Sequence, residues 1–275
     1  MEYDIIGDIH GYATKLERLL IELGYRKANG IWRHAHRTAV FTGDFVDLGP
    51  EQFRCIDTVR RMVDAGTALA VMGNHELNAI AWHTPDLREP GEYLRPHFSE
   101  KWGAKNRTQH RAFLAEVEHW PRLHAEIIDW FLTLPLWLDL PGLRVVHACW
   151  HTRFMEQLSG ELHKGRLLTR DLMIHATKEP ADPLHKDDAS FSIFKAVEAL
   201  TKGIEIPLPE PHFFLDKYGI RRDRVRVKWW DTTAITYRTA AMLPSEQLAT
   251  LPDDPIPDHA RVEMGEVPVI SVITG

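Results

Sequence analysis

The chain has 275 residues, 44% of them apolar and 26% charged, with a formal net charge of −6. That length can bury a sizeable core, and the acidic balance argues against a nucleic-acid-binding face or an anionic-membrane partner. Cys55 and Cys149 are the only cysteines and make no CxxC spacing. A disulfide framework and a structural zinc site are therefore not expected, and both thiols read as small buried apolar groups.

The N-terminus, Met1-Glu2-Tyr3-Asp4, lacks the basic and apolar regions of a signal peptide. An apolar run at 3–6 reads as a strand and delivers Gly7-Asp8-Ile9-His10-Gly11. Residues 14–24 follow with helical periodicity. Thr14 and Glu17 suggest an N-terminal cap, Leu16, Leu19, Leu20 and Leu23 share one face, and Gly24 is a stop. A second strand at 39–42 delivers Gly43-Asp44-Phe45-Val46-Asp47-Leu48-Gly49, and a helix at 52–65 turns Phe53, Ile56, Val59 and Val63 inward before Gly66. A third strand at 68–72 delivers Gly73-Asn74-His75-Glu76, with helical character over 76–82. These are consecutive β-α-β units.

Residues 85–96 read as a loop, 107–117 and 124–132 as amphipathic helices, and 136–140 and 143–146 as strands joined by Pro141-Gly142. The most apolar stretch, 127–140, is interrupted by Asp129, Pro135 and Asp139 and does not read as a membrane span. Beyond 158 the pattern weakens. A helix at 190–200, a proline-punctuated linker at 204–211, a strand at 225–230 and a loop at 244–257 complete the reading. No repeat or domain boundary emerges, so a single domain over 1–275 is expected, in a cytoplasmic protein.

Three motifs, each at a strand end, bring Asp, His and Asn where open α/β sheets place their ligands. Any one alone reads more often as a turn, and a lone His147 as a hydrogen-bonded core residue; three in order change the odds. Asp8 and His10, two apart on an extended segment, point to one side and suit one cation. Asp44 has two oxygens, enough to bridge two cations, Asn74 offers a neutral oxygen, and His147 ends the strand at 143–146. Mixed nitrogen and oxygen donors favour Mn, Fe, Zn or a similar ion over Mg or Ca. Two such ions clamp a phosphate and activate a water. His75 is placed to donate a proton to the leaving oxygen, with Asp47 on its other ring nitrogen. His151 and Cys149 are read as structural.

These motifs resemble the calcineurin-like metallophosphoesterases, in the phosphoprotein phosphatase branch, with the pattern GDxHG, GDxVDRG, GNHE, a later His and a final Gly-His. Bacterial serine/threonine phosphatases and symmetrical dinucleoside tetraphosphatases are the nearest types. The resemblance implies a four-layer α/β fold of two packed mixed sheets flanked by helices. It assigns Asp8, His10 and Asp44 to one metal, Asp44, Asn74 and His147 to the other, and His75 with Asp47 as the acid pair. Two divalent transition-metal ions are implied, Mn first, with Fe, Zn or Ni as alternatives. The substrate is a phosphorylated protein or a nucleotide, either a phosphomonoester or a dinucleoside polyphosphate.

Two departures stand out. Leu48 occupies the place of the family's phosphate-holding Arg, a loss of about 1.5–3 kcal/mol for one charge-assisted bond. No Gly-His follows His147, and the apolar run at 267–273 ends the chain at Gly275. Deleting one T from ATC TTC GGT CAT TAC TGG turns Ile-Phe-Gly-His-Tyr-Trp into Ile-Ser-Val-Ile-Thr-Gly, the sequence of residues 270–275. The expectation is a frameshifted, truncated chain that lacks its last metal-binding His and its C-terminal strands. The alternative to an active phosphoesterase is accordingly an impaired relative that folds and binds metal or phosphate but turns over poorly.

Overall fold

A computed structural model describes residues 2–180, 182–216 and 219–272. The first half contains β1 (Glu2–Ile6), α1 (Ala13–Glu22), the hairpin β2 (Arg26–Ala28) and β3 (Ile31–Arg33), β4 (Arg37–Phe41), α2 (Gln52–Asp64), β5 (Ala68–Ala70) and α3 (Asn74–His83). Then come α4 (Gly103–Gln109), α5 (Arg111–Val117), α6 (Pro121–Phe131), β6 (Trp137–Leu140), β7 (Leu143–Val146), α7 (Thr152–Ser159) and α8 (Arg170–Thr177). The remainder comprises α9 (Pro183–Lys186), α10 (Ile193–Lys202), β8 (Glu205–Pro207), β9 (Phe214–Leu215), β10 (Arg221–Arg222) and β11 (Arg224–Arg226). Two short helices, α11 (Tyr237–Ala240) and α12 (Ser245–Leu248), precede the last strand, β12 (Val269–Ile270).

β4 lies between β1 and β5, all parallel, with Ile5 opposite Val40 and Val40 opposite Leu69. Parallel neighbours need crossovers, which α1 and α2 supply. Alternation then sorts the side chains onto two faces. Ile6, Ala39, Phe41, Ala68 and Ala70 join Leu16 and Leu20 of α1 and Ile56, Val59 and Met62 of α2 in the main core. Tyr3, Ile5, Val40 and Leu69 face the other way. They meet Val71, Leu138, Leu140, Leu143 and Val145 in a separate, thin apolar layer. That layer is the seam with the second sheet, in which β7 pairs antiparallel with β6 and parallel with β12. Ala148 and Cys149, just past β7, bond to the carbonyls of Leu200 and Ala199, tying α10 to this sheet. The order helix, sheet, sheet, helix is the expected four-layer arrangement, with the first sheet wholly parallel and the second mixed.

Several local expectations change. α1 starts at Ala13, and Thr14 does not cap it: its N–H and Oγ1 donate to Glu51, 2.8 Å each. Likewise the N–H groups of Gln52 and Phe53 donate to Glu116. Both helices thus have N-termini held by carboxylates distant in sequence, where the helix dipole favours negative charge. Phe53, expected inward, is 42% exposed, and Gln52 takes the buried position. The helix expected at 107–117 breaks at His110, which leaves helical geometry and turns into the interior. α7 and α8 were not foreseen. β8 lies in the expected linker and α12 in the expected loop.

Cys55 and Cys149 are free and buried, and burial raises both thiol pKa values, that of Cys55 to about 12. Among the described residues no helix is long and apolar enough to cross a membrane. β12 places Val269 opposite Arg144 and Ile270 opposite Val145, and the Val272 N–H reaches the His147 carbonyl at 2.9 Å. Residues 273–275, part of the proposed frameshifted tail, lie outside the described residues.

Candidate metal centre

The first two strand-end loops lock onto one another through their backbones. Ile9 and His10 donate to the Asp44 carbonyl (3.1 and 2.9 Å), Gly11 to Phe45 (2.7 Å) and Gly49 to His10 (2.7 Å). His10, Asp44, Asp47 and Leu48 all have positive φ, between 47° and 71°. For residues with a Cβ this conformation costs roughly 1–2 kcal/mol each. Such strain persists only where the surroundings over-determine it, and it clusters at functional sites. The motif glycines permit the close approach. A Cβ on Gly73 would sit 2.3 Å from Asp44 Oδ1, and one on Gly49 would sit 2.6 Å from the Gly11 backbone.

Glu76 ties the second and third loops together. It is fully buried and accepts the N–H groups of Asp44 and Phe45 (2.8 Å each) and Gly73 (3.0 Å). Burial and the adjacent Asp44 charge push its pKa up to about 8. Nothing in the sequence reading gave it a role. Its place three residues after a helix-start glycine was the available signal.

Asp44 is the hub. Its Oδ2 lies 3.5 Å from His147 Nε2 and 3.9 Å from both His10 Nε2 and His75 Nε2. Asp8 Oδ2 is 3.9 Å from His10 Nε2, and Asn74 Oδ1 is 3.2 Å from His147 Nε2. In both flanking histidines Nδ1 is engaged by a backbone carbonyl, Val46 for His10 (2.9 Å) and Thr42 for His147 (2.6 Å). That leaves each Nε2 turned to the cluster, the usual way a ligating imidazole is oriented.

The donor chemistry fits divalent cations. Both carboxylate oxygens of Asp8 are buried with no hydrogen-bond partner, an arrangement that costs several kcal/mol unless a cation answers it. Burial and the Asp44 charge accordingly raise the Asp8 pKa. Donor atoms close enough to share an ion fall into two sets, Asp8 with Asp44 and His147, and His10 with Asp44 and His75. All five expected ligands, Asp8, His10, Asp44, Asn74 and His147, therefore converge, and Asp44 belongs to both sets. His147 lies close to the Asp8 pair as well as to Asn74, and His75 lies close to His10 and Asp44.

His75 Nδ1 lies 2.6 Å from Asp47 Oδ2, the expected pairing. A residue absent from the sequence reading joins them: His110 Nδ1 is 2.9 Å from the same oxygen, and both Asp47 and His110 are buried. Burial opposes ionisation of Asp47, yet the two imidazoles outweigh it and lower its pKa. Burial likewise opposes protonation of His75, but the Asp47 hydrogen bond and the charges of Asp44, Asp47 and Glu76 raise its pKa to about 9. His110, where burial dominates, is lowered. Asp47 thus favours the charged form of His75, whereas burial dominates at His110. The sequence around His110 carried no motif that could have revealed this.

The cluster opens into a cavity of about 670 Å³ whose walls include Asn74, His75 and His147 and, farther out, Tyr93, Arg95 and Trp102. Leu48 is 68% exposed and lies outside those walls.

A parallel β-α-β sheet whose strand ends gather carboxylates, imidazoles and an amide around one shared aspartate defines a phosphoesterase scaffold, and the calcineurin-like phosphoesterase family model matches residues 1–220. The chain belongs to that family, a class of metal-dependent hydrolases acting on phosphate esters. Among similar proteins, the asymmetrical bis(5'-nucleosyl)-tetraphosphatase PrpE of Oceanobacillus iheyensis is 30% identical over 165 residues, 60% of this chain and 61% of its own. The protein of the same name from Bacillus subtilis is 41% identical over 76 residues, 27% of this chain and 31% of its own. The chain thus spans less than two thirds of these relatives. A solved metallophosphoesterase from Sphaerobacter thermophilus is 22% identical with a TM-score of 0.33, covering 54% of this chain and 47% of that one. A cold-active protein-tyrosine phosphatase of a psychrophilic Shewanella is 17% identical with a TM-score of 0.37, covering 62% and 47%.

Proposed function

We propose that this protein hydrolyses phosphate esters or anhydrides, with a dinucleoside polyphosphate as its substrate class, in the cytoplasm and with manganese as its metal. The observation that carries the hydrolytic reading is the Asp8 carboxylate, its oxygens buried without a hydrogen-bond partner beside an Asp44 shared by two donor sets. The substrate class rests on the PrpE relatives, which are named as asymmetrical tetraphosphatases rather than the symmetrical type expected from the sequence.

Two divalent ions held by Asp8, His10, Asp44, Asn74 and His147 would supply electrophilic stabilisation of the phosphoryl oxygens and a water nucleophile. The chain's own part is proton management and placement. His75 directs Nε2 toward the cluster and gives its proton to the departing oxygen as the phosphorus–oxygen bond breaks. Asp47 keeps the ring in that tautomer through Nδ1 and stabilises the charged form. His110 anchors Asp47 from the opposite side. Glu76 keeps the Asp44 loop at its distance from Asn74 through three N–H contacts.

The test is hydrolysis of diadenosine tetraphosphate and of para-nitrophenyl phosphate with added manganese, comparing the wild type with His75→Ala. Removing a general acid lowers kcat by roughly 10²–10⁴-fold. Equal background rates in both proteins would defeat the enzyme reading and leave a binding relative. Activity on the nitrophenyl ester alone would defeat the dinucleotide assignment. Asp44→Ala should abolish binding at both metal positions when manganese is counted by elemental analysis.

A further inference from the structure

The cations lining the cavity differ in how they are neutralised. Arg88 bonds Asp86 at 2.7 Å, Lys202 bonds Glu198 at 2.6 Å and Arg226 faces Glu205 at 3.6 Å. Among the described residues Lys105 makes no ion pair and lies over the Trp102 ring at 5.1 Å, and Arg95 has no carboxylate within ion-pair distance. Its guanidinium donates to two neutral amide oxygens, Asn78 Oδ1 at 2.8 Å and Gln109 Oε1. Nη1 and Nη2 each keep a second N–H, and Nε is buried and has no partner. Two amides orient a guanidinium without neutralising it, and a charge taken out of water without a counter-ion is costly. Burial pulls the Arg95 pKa down to about 10, against the opposing influence of the Asp47 charge.

The fold puts this group beside the metal ligands for a local reason. Asn78 follows Asn74 by four residues on α3, so both lie on one helix face about 5–6 Å apart. The segment carrying Arg95 folds back along the same helix, with Leu94 bonding the Thr84 carbonyl at 2.9 Å and Arg95 bonding the Ala81 carbonyl at 3.1 Å. The guanidinium, clamped from α3 and α4, thus sits about one helical turn from Asn74, on the wall of the same cavity. A planar donor fork with a spare N–H suits a phosphate oxyanion.

We propose that Arg95 binds a non-bridging phosphate oxygen of the substrate, pre-oriented by Asn78 and Gln109, as the cavity's phosphate anchor. Leu48 supplies no cation to this cavity. The inference rests on the phosphoesterase reading but concerns phosphate binding, which is measurable without turnover.

The first test uses the wild-type protein loaded with manganese and an arginine-selective dicarbonyl reagent, with modification mapped by peptide mass spectrometry. Orthophosphate should slow modification of Arg95 several-fold and leave the exposed Arg122 unaffected. The second measures inhibition by orthophosphate in Arg95→Gln and Arg95→Lys. Loss of a charge-assisted bond raises Ki and KM by roughly 10–100-fold for glutamine and less for lysine, with kcat changing less than KM. No protection of Arg95 in a protein that hydrolyses substrate, or an unchanged Ki in Arg95→Gln, overturns the assignment. If Arg95→Gln does not fold, the wild-type protection experiment decides alone. Protection without any hydrolysis would support the anchor and refute the hydrolytic reading.

Discussion

Gly73→Ala is the sharpest perturbation the site offers. Gly73 has φ −95° and ψ 176°, a conformation open to any residue, so backbone preference plays no part in the outcome. The effect is collision. The new methyl would lie 2.3 Å from Asp44 Oδ1, 2.6 Å from Asp44 N and 3.0 Å from Glu76 Oε2. The first of these is more than about 1 Å inside a normal contact. Rotating the Asp44 side chain relieves the oxygen but not the backbone nitrogen, so the second and third loops must separate. Overpacking of this kind costs about 1–3 kcal/mol. Stretching one hydrogen bond to the buried Glu76 adds about 1–3 kcal/mol. A total of about 2–6 kcal/mol is expected by urea denaturation, together with at least a roughly 10-fold loss of manganese affinity by calorimetric titration. Gly160→Ala is the control, since its φ is −69° and nothing lies within 4 Å of the added carbon. It should be neutral or stabilising by about 0.4–1 kcal/mol. A Gly73→Ala protein with wild-type stability and wild-type manganese binding would refute the claim that these loops are in enforced contact.

Asp47→Asn should leave the manganese content unchanged and lower kcat by roughly 10²–10⁴-fold, because His75 loses the anion that favours its charged form; an unaltered pH–rate profile would argue against the pairing. Burial holds His124 and His151 neutral with pKa values of about 4, below their ordinary 6.5. Their contribution to stability is present above pH 6.5 and is lost as pH falls toward 4, by about 1–2 kcal/mol each. Urea denaturation at pH 7.5 and 5 should show this loss, and His151→Asn, which retains an oxygen for the Phe154 N–H, should reduce it. Leu48→Gly should stabilise the fold by up to about 1 kcal/mol, since φ is 68° at an exposed leucine; a destabilised variant would show that the side chain makes contacts that outweigh its backbone strain.

What the sequence made legible was local and repetitive. The strand-helix-strand rhythm follows from apolar runs closed by Gly-Asp or Gly-Asn, and a ligand at each strand end follows from the rhythm. The supports of that arrangement were not legible, because they join positions far apart in the chain. Glu51 holds the start of α1 from 37 residues away, and Glu116 holds α2 from 64. His110 reaches Asp47 only because the helix expected over 107–117 breaks at that residue. Phe53 shows the limit of periodicity: its spacing matched the inward face, but at the helix's first turn the Gln52 side chain bonds the Asp47 N–H and the Gly49 carbonyl and takes the buried place. The family motifs mark where candidate ligands gather; the loop contacts bring their donor atoms within reach of one another.

The seam between the two sheets is thin, with Val40 and Val71 from one side against Leu138 and Val145 from the other at its buried centre. The candidate ligands straddle it: Asp8, Asp44 and Asn74 belong to the first sheet's loops, while His147 comes from the end of β7 in the second. An ion held by both sides would therefore act as a fastener between halves that apolar contact joins over only a small area. Its binding free energy adds to the cohesion of the two layers by mass action. Chelation should consequently lower the melting temperature as well as silence the site, and the loss should be greatest for variants already weakened at Val40 or Val145.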